Sequence, residues 1–377
     1  MKGLKTLKDA QSWPLRSRQI LVAALTGGVV ALVFGAYSVV AHRALAGASL
    51  SPLVFALSRD TLAVICLMAA AYLRYRSVPS SFWPASADVP RFIACGVLGV
   101  YCSQAGSALA LKYLDPLVYT LIQPLMPLAT ALWATLAGQE AWALRSAATW
   151  LKLLGMLVAV GGAAFVGWGG SVGSAASGTN LLLWLFFVAL QILGGGAYPV
   201  AQQPLMGKYP SLVVCAWGYA YGWLALAMCA ITSATDASDW SFTPSSAGAV
   251  LFAGLLASAL NYALMALCVE LAGSLLVVRW PPPPSRFPNR PRPTPHLPHT
   301  ALQVTFLPLM GFHTAWLQWV FEGHLLSLDQ GVGGALCFLG LVIFVVGKGR
   351  EAEVPAEGGV GSQPLLPLLP VDAEEEL

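Results

Sequence analysis

The sequence predicts an all-α polytopic membrane protein with ten transmembrane helices. Three observations lead there: 57% of the 377 residues are hydrophobic against 10% charged, the mean hydropathy is +0.70, and apolar runs recur at the length that crosses a bilayer. Soluble chains carry about a quarter charged residues, and a spanning helix needs about 20 apolar ones. In hydrocarbon the backbone must bond within its own helix or in a closed barrel, and the polar-apolar alternation of a barrel strand is absent. The net charge of +3 is too small to suggest a nucleic-acid partner.

Residues 1–19 carry Lys2, Lys5, Lys8, Arg16 and Arg18 ahead of an apolar run at 20–40. That run exceeds the roughly 7 to 15 residues of a cleavable signal core, so it is read as the first span. Further runs bounded by charges, Pro or Gly predict helices at 52–73, 92–111, 117–137, 150–168, 180–200, 211–231, 248–271, 303–321 and 330–347. An even number places both termini on one side. Of the 20 Lys and Arg, 17 fall on the side of the N-terminus, Lys152 counted among these loop charges; Arg43 and Lys112 fall opposite, and Arg59 lies inside a span. Cytoplasmic loops collect basic residues, so both termini are expected in the cytosol, at the plasma membrane or a vacuolar or other endomembrane.

Two segments fall outside the spans. Residues 351–377 hold seven acids and the run QPLLPLLP, a composition expected to stay disordered. The stretch PPPPSRFPNRPRPTPHLPH at 281–299 supports only an extended polyproline segment. Upstream, 249–278 is 30 residues long with the single charge Glu270; as one helix it would reach about 45 Å against a core of about 30 Å. Residues 271–278 are therefore read as the start of the ninth helix. The Pro/Arg-rich piece is then an inserted or mis-spliced segment, or else a genuine loop. The cysteines Cys66, Cys95, Cys102, Cys215, Cys229, Cys268 and Cys337 sit in predicted spans without a CxxC pair, and read as small apolar residues, not as a disulfide framework or metal site. No cofactor motif is present.

The chain repeats itself. LALKYLDPLVYTLIQPLMP at 109–127 returns in reduced form as TFLPLMG at 305–311, ahead of Glu140 and Glu322 respectively. Each glutamate precedes a glycine-bearing helix, with Gly155, Gly161 and Gly162 in one half and Gly331, Gly333, Gly334 and Gly340 in the other. Two five-helix units, 20–168 and 180–347, must enter the membrane from opposite faces, the inverted arrangement of secondary transporters. Pro124 and Pro308 each free a carbonyl one turn back and are expected to bend their helices. Small faces such as Gly155 with Ala159 and Gly331 with Ala335 are expected to let backbones approach. Glu140 and Glu322 sit at span boundaries, where they serve capping and loop structure or proton coupling.

These stretches resemble the EamA-type repeat of the drug/metabolite transporter superfamily. Within it, YPVAQQPLMGKYPSLVVCAWGYAYGWL at 198–224, NYALMALCVELAG at 261–273 and VIFVVGKGRE at 342–351 look like the plant Walls Are Thin-related proteins, also grouped as amino-acid and auxin exporters. The resemblance covers 20–350 and implies ten helices, two inverted repeats, and export or vacuolar transport of small organic solutes. Two departures stand out: the proline-rich break falls in what the family has as a continuous ninth helix, and Gly311 replaces the counterpart of Pro127.

A charge inside a span costs about 2.5–3.5 kcal/mol even on the lenient scale, so Arg59 is the first candidate for holding a solute carboxylate, or else a snorkelling side chain or structural ion pair near the outer end. Its neighbour Asp60 lies about 100° away around the helix and is expected to be a poor partner. Tyr101 and Gln104, Gln123, Gln191 with Tyr198, Trp217 with Tyr221, and Asn261 with Tyr262 supply the amides and aromatic walls a small solute requires; the first pair, and Asn261 and Tyr262 with neighbouring turns, are each expected to share a face. His313 is a proton-relay candidate. The expected function is an alternating-access carrier of amino acids, auxin-like acids or other metabolites, with proton coupling as an option. The alternatives are a nucleotide-sugar or sugar-phosphate antiporter, disfavoured because Arg59 is the one cation placed inside a span, and an inactive product of an imperfect gene model. No His/Asp or His/Glu cluster at helical spacing suggests an enzyme.

Overall fold

The computed structural model describes residues 15–46, 50–77, 82–138, 146–173, 178–206, 208–267, 298–323 and 325–353. Glu140, Cys268, residues 271–297 and the acidic tail beyond 353 lie outside them. Among the described residues ten long helices follow in order: α1 Leu15–Leu45, α2 Pro52–Tyr75, α3 Ser86–Tyr113, α4 Pro116–Leu136, α5 Ala147–Gly173, α6 Gly178–Met206, α7 Ser211–Ser233, α8 Pro244–Leu267, α9 Pro298–Glu322 and α10 Leu328–Glu353. Nine of these are long and apolar enough to cross a membrane; α9, of 25 residues, is a tenth long helix whose side chains are described from Leu309 on. No strand occurs among the described residues. The chain is an all-α integral membrane protein.

Helix starts follow the local chemistry. Asp115 accepts from the amides of Leu117 (2.8 Å) and Val118 (3.3 Å), with Pro116 as the first helical residue, which launches α4. This is the side-chain cap that satisfies otherwise unpaired first-turn donors. Thr243 and Ser246 form a reciprocal capping box at the start of α8. Gly138 and Gly323 follow the ends of α4 and α9 with φ of 68° and 67°, the left-handed position where glycine ends a helix without strain.

Three helices are irregular inside. A 3-10 turn at Gln123–Leu125 breaks α4 at Pro124. α3 contains a π-helical stretch at Cys95–Tyr101 and α8 another at Ala253–Leu260. Pro308, in contrast, lies within an unbroken α9.

The principal packing partners are α5 with α10, α1 with α9, α3 with α6 and α7, α2 with α7 and α8, and α4 with α6. Close approach depends on glycine. A Cβ at Gly96 would come within 2.6 Å of the Gly218 carbonyl and the Gly222 amide across the α3–α7 contact. The α5–α10 seam uses Gly155 and Gly162 against Gly333, Cys337, Gly340 and Phe344. The expected Gly331/Ala335 face is not part of it: a Cβ at Gly331 meets only the Leu326 side chain, and Ala335 is exposed. The steps 333, 337, 340, 344 and 347 keep to one helical stripe, while 331 and 335 lie about 200° round from 333 and 337. Lys152, read from sequence as a loop charge, lies within α5, fully buried where Gly347 of α10 meets it.

Candidate functional site

Six helices converge on Arg59. Its guanidinium and the Asp60 carboxylate are 2% and 1% exposed and form an ion pair, Nε to Oδ1, of 3.1 Å. This overturns the expectation that the two are poor partners. The 100° offset separates their Cα–Cβ directions, but a three-methylene stem lets the guanidinium fold back, and a desolvated charge takes whatever countercharge is within reach. Arg59 Nη2 also donates to Gln104 Oε1 on α3, and Gln104 Nε2 donates to the Tyr219 hydroxyl on α7 at 2.6 Å. The Tyr37 ring of α1 lies 5.0 Å from the guanidinium carbon, within cation–π range.

The polar cluster continues outward from that pair. Ser107 on α3 receives the Tyr119 hydroxyl of α4 at 3.0 Å and lies 3.3 Å from the Tyr37 hydroxyl. Tyr219 packs edge-on against Tyr262 of α8, with ring centroids 4.7 Å apart, and Tyr262 in turn meets Tyr198 of α6 at 6.0 Å. Ser258 on α8 faces Asp60. The two π-helical stretches lie where these residues need re-aiming: one ends three residues before Gln104, and the other contains Ser258. Such turns recur at functional positions because the extra residue rotates everything after it. Gly254 lets α8 reach α2, since a Cβ there would come within 2.8 Å of the Arg59 carbonyl.

The sequence candidates separate into two groups. Arg59, Gln104 and Tyr262 belong to the cluster. Gln123 Nε2 donates to Gln191 Oε1 at 3.1 Å across α4 and α6 and to the Tyr119 carbonyl at 3.2 Å. Trp217 donates to the Phe82 carbonyl at 2.9 Å in an aromatic group with Trp83 and Tyr221 near the start of α3. Tyr101 packs against the cluster of Ala56, Ala105, Ala108 and Leu226 and interacts with Cys229, whereas Gln104 bonds Arg59 and Tyr219, so the two do not serve one site. Asn261 donates to the Val30 carbonyl at 3.2 Å. His313 lies beside Phe312 with Nδ1 unpartnered among the described residues. Tyr37, Asp60, Ser107, Tyr119, Tyr219 and Ser258 were not candidates from sequence. Among the described residues no group of three or more His, Cys, Asp or Glu is placed to hold a metal.

Two further polar features frame the cluster. At the end of the bundle carrying Arg43, that residue pairs with Glu322 of α9 at 2.8 Å, and Gln318 bridges Glu322 (3.3 Å) to Asp115 (3.0 Å). At the end carrying Lys208, Asp88 takes Lys208 and Arg91 at 2.7 Å each. A narrow crevice of about 10 Å³, room for about one water, enters between α6, α7 and α8 and is lined by Gln202, Met206, Ser211 and Cys215 as far as Tyr198 and Tyr262.

No family model matches the chain, so the EamA-type repeat rests on the motifs quoted above. Two WAT1-related proteins of Arabidopsis thaliana align with it at 23% identity, one over 61% of this chain and 66% of its own length, the other over 87% of this chain and 84% of its own. The chain is a distant relative of the WAT1-related proteins. It spans just under two thirds of the first relative, so that alignment omits part of both. A crystal structure of a protein superposes with a TM-score of 0.56 at 18% identity, covering 88% of this chain and 99% of the other; at that identity the likeness concerns the fold alone. The WAT1-related kinship expected from the three quoted stretches is met, and the second alignment extends it across both halves of the bundle.

Proposed function

We propose that this chain is a secondary carrier that moves small organic solutes, such as amino acids, auxin-like acids or other metabolites, by alternating access. The observation that carries the proposal is Arg59: a cation 2% exposed inside a membrane bundle, bonded to Gln104 of the first half, whose amide in turn reaches Tyr219 of the second. An intramembrane cation facing the bundle interior marks a solute path unless a structural pair accounts for it fully. Here its ligands Gln104 and Tyr37 are groups that a solute carboxylate can join or displace.

Two inverted five-helix units fit the geometry. Exchanging α1–α5 with α6–α10 turns the α1–α9 contact into α6–α4, the α3–α7 contact into α8–α2, and leaves α2–α7 and α5–α10 as themselves. The π-helical stretches of α3 and α8 and the terminating glycines of α4 and α9 are related by the same exchange. The crevice between α6, α7 and α8 breaks it: the corresponding space between α1, α2 and α3 is filled by Tyr37, Arg59, Gln104 and Ser107. Such asymmetry is what one of two alternating states requires. With the basic loops cytosolic, the crevice opens to the cytosol and the Arg43–Glu322 pair closes the other side.

The test is uptake and efflux of a labelled metabolite panel in proteoliposomes, with Arg59→Ala alongside. Loss of every transported compound in the variant supports the site; full transport overturns it. The closing pair yields a separate prediction. Arg43 is 47% exposed, so Arg43→Ala is expected to change stability by less than about 1 kcal/mol. Releasing the pair should nevertheless raise the rate at which an impermeant thiol reagent, added from that side, modifies a cysteine placed at Ser107. An unchanged rate above the native-cysteine background would remove the gating role.

A further inference from the structure

We infer that Asp60 is a proton site coupled to the charge of the solute: an anionic solute brings one proton with it, and a zwitterion brings none. The inference rests on the Arg59 site proposed above. Asp60 is 1% exposed, its Oδ1 is paired with Arg59, and its Oδ2 has no hydrogen-bond partner among the described residues. The groups facing it are Arg59 on its own helix, Tyr219 on α7, and Tyr262 and Ser258 on α8. Arg59 is the one positive charge in that set; the hydroxyls are neutral at any working pH.

The consequence is a matter of charge balance. In the empty site, guanidinium and carboxylate sum to zero. Arg59 does not need Asp60 to stay in place, because Gln104 and the Tyr37 ring also hold it. A solute carboxylate that takes Arg59 leaves Asp60 buried without a countercharge, a strongly disfavoured state that a carboxylate leaves by taking up a proton. The proton comes from water at whichever side is open, converting the carboxylate to the acid and H3O+ to water, and the loaded site returns to zero net charge. The unpaired Oδ2 is where that proton can sit. A zwitterion needs none of this: its carboxylate meets Arg59, its ammonium replaces Arg59 as the partner of Asp60, and the sum is again zero. Proton movement is then set by the solute and not by the protein alone.

The experiment is calorimetric titration of the full chain in lipid nanodiscs with 3-phenylpropionate and with phenylalanine, which differ only in the α-ammonium. Each is run in two buffers of different ionisation enthalpy, so that the heat reports protons taken up. The shared phenyl ring suits the tyrosine walls at 37, 119, 219 and 262. For the wild-type protein, 3-phenylpropionate is expected to take up about one proton, and its affinity to fall about tenfold per pH unit where the empty site is ionised and the loaded site protonated. Phenylalanine is expected to take up none and to show a flat profile. Asp60→Asn should still bind 3-phenylpropionate, without proton uptake, and bind phenylalanine more weakly. Binding of 3-phenylpropionate without proton uptake, or uptake that persists in Asp60→Asn, overturns the inference while leaving the site intact. If neither compound binds, or both bind equally well to Arg59→Gln, the site reading itself fails and the inference with it. Should Asp60→Asn not fold, the two wild-type pH profiles decide alone.

Discussion

Arg59→Met is expected to abolish solute binding and to destabilise the bundle by about 3–5 kcal/mol, the range found when one partner of a buried ion pair is removed. The loss comes from what remains. Asp60 keeps its carboxylate at 1% exposure with neither oxygen paired to a cation, and Gln104 loses the donor that fixes its amide against Tyr219. The double variant Arg59→Met with Asp60→Asn removes both charges and should recover most of the stability, because neutral groups of similar shape carry far less desolvation cost. Binding should not recover, since the cation is gone. Thermal unfolding in detergent, read beside binding of the labelled panel, separates the outcomes. If the double variant is as unstable as the single one, the pair is not what makes Arg59→Met costly. If the double variant still binds solute, Arg59 is not the site.

The fold is legible in the sequence for a physical reason: hydrocarbon forbids unpaired backbone, so any apolar run of sufficient length must be a helix. The runs at 52–73, 117–137 and 211–231 correspond to α2, α4 and α7 within two or three residues. Span-level hydropathy says nothing about what happens inside a helix, however. The π-helical stretches at Cys95–Tyr101 and Ala253–Leu260 carry no proline or charge that marks them. They rotate every later residue relative to the turns before the stretch, a change of facing that no apolar run records. Pro124 is visible and coincides with a 3-10 turn; Pro308, equally visible, lies in an unbroken helix.

The site is legible where cost betrays it. A charge in a span needs a reason, and that requirement points to Arg59 and equally to Lys152, which reads in the sequence as a loop charge. The same requirement points to Asp60; judging the pair by helix angle, and not by side-chain length, is what hides it. The tyrosines are harder, because hydroxyl-bearing rings are common throughout a membrane helix. Tyr219 can be preferred over Trp217 from its neighbours. Gly218 and Gly222 flank it, Cys215 lies one turn back and Leu226 two turns on, a small-residue stripe that faces other helices. Trp217 and Tyr221 lie against each other on the remaining face, where Trp217 meets Phe82. Ser107 and Ser258 offer no comparable cue, since an isolated serine in a span most often bonds its own backbone.

Gly340→Val is expected to be the most disruptive apolar substitution in the chain, more so than any truncation of a core leucine. A Cβ at Gly340 would collide with the Gly155 carbonyl, at 2.6 Å, and with the Ala159 amide nitrogen. Both are backbone atoms of α5 that cannot rotate aside, so relief requires the two helices to move apart. Separation at this point also opens the Gly162–Gly333 and Gly155–Phe344 contacts and the Cys337 Sγ to Ala159 carbonyl bond along the same seam, and in lipid the association of two helices depends on such close contacts. Overpacking of a tight contact costs about 1–3 kcal/mol; the lost contacts add to that, and the branched side chain makes the collision worse than alanine would. Gly161→Ala is the control, because a Cβ there meets nothing within 4 Å and alanine favours the helix by about 1 kcal/mol. The measurement is the thermal midpoint of each purified variant, with fluorescence size exclusion to report monodispersity. Gly340→Val should fail both while Gly161→Ala matches or exceeds the parent. Equal behaviour of the two would mean that α5 and α10 are not held at this distance, and that the bundle tolerates a wider seam between the final helices of its two halves.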